Sequence, residues 1–133
     1  MIRKCSKKEF LKFLRHESVV SRIDRYPDKI RVKNIYVVEK GDKRLYFFYI
    51  ETDVKKEVEA HVGAIKEHRQ YARIMIKEIL EWLKNKGYNS VITCIPDCFV
   101  SARNMTKKLG FEEVGVFFDE GYGCSSTTLK RVI

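Results

Sequence analysis

No run of about 18 apolar residues occurs in the chain, which excludes a hydrophobic membrane-spanning helix. The start Met1-Ile2-Arg3-Lys4 leads into charged sequence rather than an apolar signal region. These two absences lead us to expect a soluble, cytoplasmic protein. Cysteine is sparse and lacks metal-ligand spacing: Cys5, Cys94, Cys98 and Cys124 stand apart, with only Ile95-Pro96-Asp97 between the nearest two. They are therefore expected to be reduced thiols, with no metal site. A long Lys/Arg tract, an internal repeat, a linker and a low-complexity stretch are also missing, so the expected organisation is one domain over residues 1–133.

What is present is a surplus of positive charge. Lysine and arginine number 27 against 18 acidic residues, for a net charge of +9. That balance attracts anions, among them phosphate-bearing small molecules, nucleic acid and acidic proteins. Because the basic residues are scattered through every segment, the pattern matches a solvated face better than a dedicated nucleic-acid surface. Nucleic acid stays open as a partner, and so does a second copy of the chain.

Periodicity supplies the elements. After a short strand at residues 2–4, Ser6-Lys7-Lys8-Glu9 matches a capping box, and Phe10, Leu11, Phe13 and Leu14 form a helical stripe. That helical region is expected to end before Tyr26-Pro27-Asp28. β-rich runs at residues 32–39 and 44–52 flank Gly41-Asp42, a hairpin signal. A third run over 57–65 alternates, placing Val58, Ala60, Val62 and Ala64 on one face and Glu59, His61 and Ile65 on the other.

Ala72, Met75, Ile76, Ile79, Leu80 and Leu83 then mark a strongly amphipathic helix, and Gly87 stands where it should stop. The nearly continuous apolar run Val91-Ile92-Thr93-Cys94-Ile95 predicts a strand buried on both faces, as a parallel pairing would allow. Asp97 is positioned to cap a second helix carrying Phe99, Ala102, Met105 and Leu109, closed by Gly110. Two last strands are expected at 111–118 and 125–132. The sum is a mixed α+β sheet of about seven strands with three or four helices.

This order, with Lys66-Glu67-His68-Arg69-Gln70-Tyr71-Ala72-Arg73-Ile74 opening the long helix and Leu109-Gly110-Phe111 closing the second, resembles the core of the GCN5-related N-acetyltransferases (GNAT fold). The family's helix-opening segment reads like Pro-Glu-Tyr-Arg-Gly-x-Gly-x-Gly. Glu67 and Arg69 match it, and Gln70, Ala72 and Ile74 replace its glycines. Of the later Asn-x-x-Ala-x-x-x-Tyr-x-x-x-Gly-Phe pattern, Ala102, Gly110 and Phe111 match, while Phe99 replaces the asparagine and Thr106 the tyrosine. The altered loop and Ile95-Pro96 also resemble small phage-encoded acetyltransferase-like proteins.

The resemblance implies acetyl-CoA as co-substrate and an amine as acceptor. It implies cofactor contacts from Val62, Gly63, Ala64 and Ile65 and from Arg69, Gln70, Tyr71, Ala72, Arg73 and Ile74. Pyrophosphate would sit on amides at the helix N-terminus, where the dipole favours an anion, with Arg69 and Arg73 adding charge. The chemistry needs a base to take a proton from the ammonium, and Glu59 and His61 are the candidates. Thr106 is far too weak an acid to replace the missing tyrosine, so Tyr71 and Tyr122 are the hydroxyls left to consider. Two readings follow: an acetyltransferase working by direct transfer, or an inactive basic module of the same fold that binds a protein or nucleic acid.

Overall fold

Burial of alternate residues along β-prone runs and of every third or fourth residue along helical ones dictates the elements seen in the computed structural model, which describes residues 1–16 and 35–133. Seven strands form one mixed sheet: β1 (Ile2–Lys4), β2 (Ile35–Lys40), β3 (Lys43–Glu51), β4 (Glu57–Gly63), β5 (Ser90–Pro96), β6 (Glu112–Asp119) and β7 (Cys124–Val132), in the order β1-β2-β3-β4-β5-β7-β6. Among the described residues there are three α-helices, α1 (Lys7–Leu14), α2 (Ala72–Asn85) and α3 (Val100–Lys108), and one 3₁₀ helix, Lys66–Tyr71, directly before α2. The Tyr26-Pro27-Asp28 turn and the first residues of the 32–39 run lie outside the described residues. No helix among the described residues is long and apolar enough to cross a membrane.

The chain divides into two compact units. In the first, Met1–Tyr49 with Val62–Ile79, β1, β2 and β3 pair antiparallel, and Gly41-Asp42 makes the expected two-residue connection. Phe10, Phe13 and Leu14 of α1 pack on Ile35, Val37 and Tyr46, with the Phe13 and Tyr46 rings stacked at 4.3 Å. Each such side chain contributes about 1.5–3 kcal/mol on burial. The other sheet face carries a ladder of Tyr36, Phe47 and Tyr49 rings, and Glu78 of α2 pairs with Lys40 of β2.

Ser6 caps α1 as expected, accepting from the Glu9 N–H at 3.2 Å. The Glu9 carboxylate, however, serves another purpose than closing a capping box. It accepts from Arg3 at 2.9 and 3.0 Å and from the Tyr46 hydroxyl at 3.1 Å, so it ties β1 and β3 to α1. The Arg3 hydrogen bonds hold its carboxyl below the usual carboxylate range.

The second unit, Ile50–His61 with Leu80–Ile133, holds β4 beside β5 in parallel and β5 beside β7 in antiparallel register from Ser90↔Val132 to Pro96↔Ser126. Gly87, at φ +100°, ends α2 in a Schellman turn: its N–H bonds the Lys84 carbonyl and Tyr88 N–H bonds that of Leu83. Two expectations need correcting. Only Ser90 and Val91 of β5 are buried, and Ile92 to Pro96 are half-buried on both faces. Asp97 caps nothing: Phe99 occupies the α3 N-cap position without a side-chain bond, and the Asp97 carboxylate accepts instead from Thr127 at 2.6 Å and Arg103 at 3.1 Å.

The most buried charge of this unit is Glu57, at the start of β4. Its carboxylate accepts from Thr52 at 3.0 Å and Ser90 at 3.1 Å and pairs with Lys130 at 3.0 Å, joining β4 to β5 and β7. Burial alone pushes its carboxyl up, but the bonds from Lys130, Thr52 and Ser90 outweigh burial and the net direction is down. A depressed folded pKa means stabilisation that is present above the ordinary carboxylate range and lost as pH falls through the lowered value. Glu57→Ala is therefore expected to destabilise the protein by about 2–3 kcal/mol at neutral pH. Urea denaturation at pH 7 and again near pH 3 should show that difference shrinking in acid.

Candidate active site

β4 carries the candidate residues in sequence, and its backbone partners change along its length. The parallel ladder with β5 covers Glu57↔Ser90, Val58↔Val91 and Glu59↔Ile92. Beyond it β4 continues to Gly63 and β5 to Pro96, with no further ladder pairs between them among the described residues. The strands therefore part at Glu59. Parted parallel strands expose backbone donors and acceptors of the kind an extended ligand can use.

Glu59 and His61 stand at this fork on one face of β4, both half-buried, with His61 Nε2 at 3.5 Å from Glu59 Oε2. The Cys94 thiol of β5 points its proton at Glu59 Oε1 from 3.7 Å, and its sulfur lies 3.5 Å from Thr128 Oγ1 of β7. The hydrogen bond from His61 chiefly lowers the Glu59 carboxyl below its usual range, against the upward push of burial. Glu59 is thus an ionised carboxylate at neutral pH, able to accept a proton. Cys94 is shifted the other way, first by burial and then by the neighbouring carboxylate, so it stays a thiol and makes a poor nucleophile.

The sequence pointed to Cys94 only as one of four dispersed thiols and did not single out Thr128. Their signal is the period of two: Cys94 falls on the face of β5 that Glu59 occupies on β4, and Cys94↔Thr128 is a register pair. Reading that requires knowing which strands are neighbours.

The expected cofactor residues lie in the first unit. Strand β4 stops at Gly63, two residues short of the expected 65, because Ile65 caps the 3₁₀ helix and the His68 N–H turns back to its carbonyl. Val62 does not share the buried face of Val58, Ala60 and Ala64 but is 44% exposed. Gly63 packs tightly, since a Cβ there would come within 3.1 Å of the Phe13 ring and push it aside by a few tenths of an ångström. Arg69 Nε donates to the Ala64 carbonyl at 3.2 Å, folding the end of β4 onto the 3₁₀ helix. The start of β3 grips the same helix: Arg44 N–H donates to His68 Nδ1 at 3.2 Å and Lys43 Nζ stands 4.7 Å from the Tyr71 ring centroid.

The three replaced glycines have different consequences. Among the described residues the only non-glycine with positive φ is Lys56, so Gln70, Ala72 and Ile74 need none of glycine's conformational freedom. The Ala72 methyl is turned into the core, while Gln70, Arg73 and Ile74 are exposed, Ile74 at 57%. The Ala72 N–H is bonded to the Arg69 carbonyl, so what this turn presents on its exposed side is the Arg73 cation and the polar Gln70 side chain, groups that suit a phosphate. Ile74 is the one replacement that leaves apolar bulk on the open side.

No protein-family model and no curated protein sequence matches this chain. Solved structures do. An IAA acetyltransferase from Bacillus cereus superposes with a TM-score of 0.79 at 14% identity, over 100% of this chain and 99% of its own. The ribosomal-protein-S18-alanine N-acetyltransferase of Escherichia coli gives 0.76 at 12% identity, over 100% and 93%. An acetyltransferase from Bacillus subtilis in complex with CoA gives 0.71 at 13% identity, over 100% and 97%. The chain has the GNAT fold. At such identities the likeness establishes the fold and leaves the chemistry to the residues described above.

Within the GNAT fold the sharpest local test concerns His61. Removing the imidazole in His61→Ala takes away the main group that lowers the Glu59 carboxyl, so Glu59 should titrate at a higher pH. Carboxyl-carbon NMR titration of wild type and variant should show the upward movement for Glu59 and not for Glu57.

Proposed function

We propose that the protein is an N-acetyltransferase that moves an acetyl group from acetyl-CoA directly to an amine. The observation that carries this reading is the fork at Glu59: an ionised carboxylate stands where β4 leaves β5, in a fold whose solved examples include a CoA complex. Acetyl-CoA supplies the acetyl group as an activated thioester. The end of β4 at Val62 and Gly63, with the Ala64 and Ile65 that follow, would meet its extended arm, although the Ala64 and Ile65 carbonyls already accept from Arg69 and from the His68 N–H. The turn from Arg69 to Ile74 offers the Arg73 charge and the Gln70 side chain for its pyrophosphate.

Glu59 acts as the base, accepting a proton from the acceptor's ammonium group and so freeing the nitrogen lone pair for attack. His61 keeps that carboxylate ionised and oriented. Thr106 takes no part as an acid, since it is buried and its hydroxyl donates to the Ala102 carbonyl at 2.8 Å.

A second reading, a non-catalytic basic module for a protein or nucleic-acid partner, is favoured by Ile74 on the open side of the helix start and by the net charge of +9. Turnover separates the two. Incubation with acetyl-CoA and a panel of amines, read by release of free thiol, is expected to show transfer. Glu59→Gln is expected to lower kcat by about 10²–10⁴-fold with acetyl-CoA affinity unchanged. Activity should fall as pH drops through the depressed Glu59 range. Acetyl-CoA binding with no transfer to any amine would favour the second reading.

A further inference from the structure

Two of the four cysteines are neighbours in space. Cys98 follows β5 and Cys124 opens β7, and the sulfurs stand 3.5 Å apart although 26 positions separate them in the chain. The sheet register explains the encounter. The β5–β7 ladder pairs Pro96 with Ser126, and the Asp97 N–H continues it by donating to the Ser125 carbonyl at 2.8 Å. One step further, Cys98 faces Cys124. Cys98 itself lies in the turn after β5, where the Phe99 N–H donates back to the Pro96 carbonyl at 2.9 Å, and this turn holds its sulfur against that of Cys124.

We propose that Cys98 and Cys124 are a reversible modification site, oxidised to an intrachain disulfide by a low-molecular-weight disulfide such as oxidised glutathione. The Cys98 thiolate attacks one sulfur of the reagent, forming a mixed disulfide while the other sulfur leaves as a thiolate; the Cys124 thiolate then attacks the Cys98 sulfur and expels the second reagent thiolate, and the two leaving thiolates take up the protons the two cysteines gave up. Two protein thiols are oxidised by two electrons, and one reagent disulfide is reduced to two thiols. Bringing the sulfurs from 3.5 Å to bonding distance takes about 1.5 Å of movement shared by two side chains.

The site is selective for physical reasons. Cys98 is exposed and Cys124 half-buried, so a small reagent reaches the pair. Cys94 is engaged with Glu59 and Thr128, and burial pushes the Cys5 thiol up to about 11, which leaves it little thiolate. Burial, and then the shared proton with Cys124, also raises the Cys98 thiol, so bridging should accelerate as pH rises. The bridge would tie the start of α3 to the β6–β7 turn, where Phe99 already meets Tyr122 edge-on at 5.6 Å.

The test treats the full chain with oxidised glutathione at mildly alkaline pH, counts remaining thiols and maps peptides without reduction. The expected result is loss of two thiols, a Cys98–Cys124 linked peptide without retained glutathione, and recovery with dithiothreitol. Amide hydrogen exchange at residues 97–101 and 119–125 should slow in the oxidised form. Cys98→Ser and Cys124→Ser should each form no bridge and hold a single glutathione on the remaining partner. Wild type ending as a mixed disulfide, a bridge that involves Cys5 or Cys94, or survival of all four thiols would overturn the proposal. The readout is independent of acetyl transfer, so this inference and the proposed function can fail separately.

Discussion

The carboxylate of Glu57 is where the second unit is knotted together. It is buried at the first residue of β4 and bonded to Thr52 before that strand, to Ser90 of β5 and to Lys130 of β7. A charge left unpaired there would cost several kcal/mol, so the three partners must arrive together. That requirement sets which residues of the three strands lie side by side. Once Glu57 is opposite Ser90, Glu59 falls opposite Ile92, at the last rung before the strands part. The position of the candidate base is thus a consequence of a structural ion pair two residues earlier.

The same strand hands over to a helix start whose conformation is set by neighbours rather than by glycine. Arg69 bonds the Ala64 carbonyl, Arg44 reaches His68, and Lys43 covers Tyr71. These contacts fix a 3₁₀ turn with ordinary backbone angles, so side chains at positions 70, 72 and 74 carry no backbone strain. Their effect on a ligand is steric and electrostatic. Ala72 faces the core, Arg73 brings charge, and Ile74 brings bulk to the open side.

Much of the fold was legible because strong signals were local. The α2 stripe, the Gly41-Asp42 connection, and the Gly87 and Gly110 stops depend on residues close in sequence, and each stands as read. What failed depended on neighbours far away in the chain. Asp97 looked like a cap because it precedes a helix, yet Thr127 of β7 offers its carboxylate a closer bond. Alternation grouped Val62 with Val58, Ala60 and Ala64, yet it alone of the four is exposed. Glu57 passed as an ordinary strand-start acid, since neither Ser90 nor Lys130 is near it in sequence. At the site, Glu59 and His61 were legible as polar residues on one strand face, whereas Cys94 and Thr128 became visible only through the β5–β7 register.

The central claim is that the end of β4 and the turn into α2 form a surface for acetyl-CoA. Amide hydrogen exchange of the protein with and without saturating acetyl-CoA tests it most directly, because it locates binding without requiring an acceptor. Slowed exchange is expected to concentrate in residues 62–74, with β6 and the β2–β3 turn unchanged. Unchanged exchange across residues 62–74 at millimolar acetyl-CoA, or protection confined to another part of the chain, would contradict it.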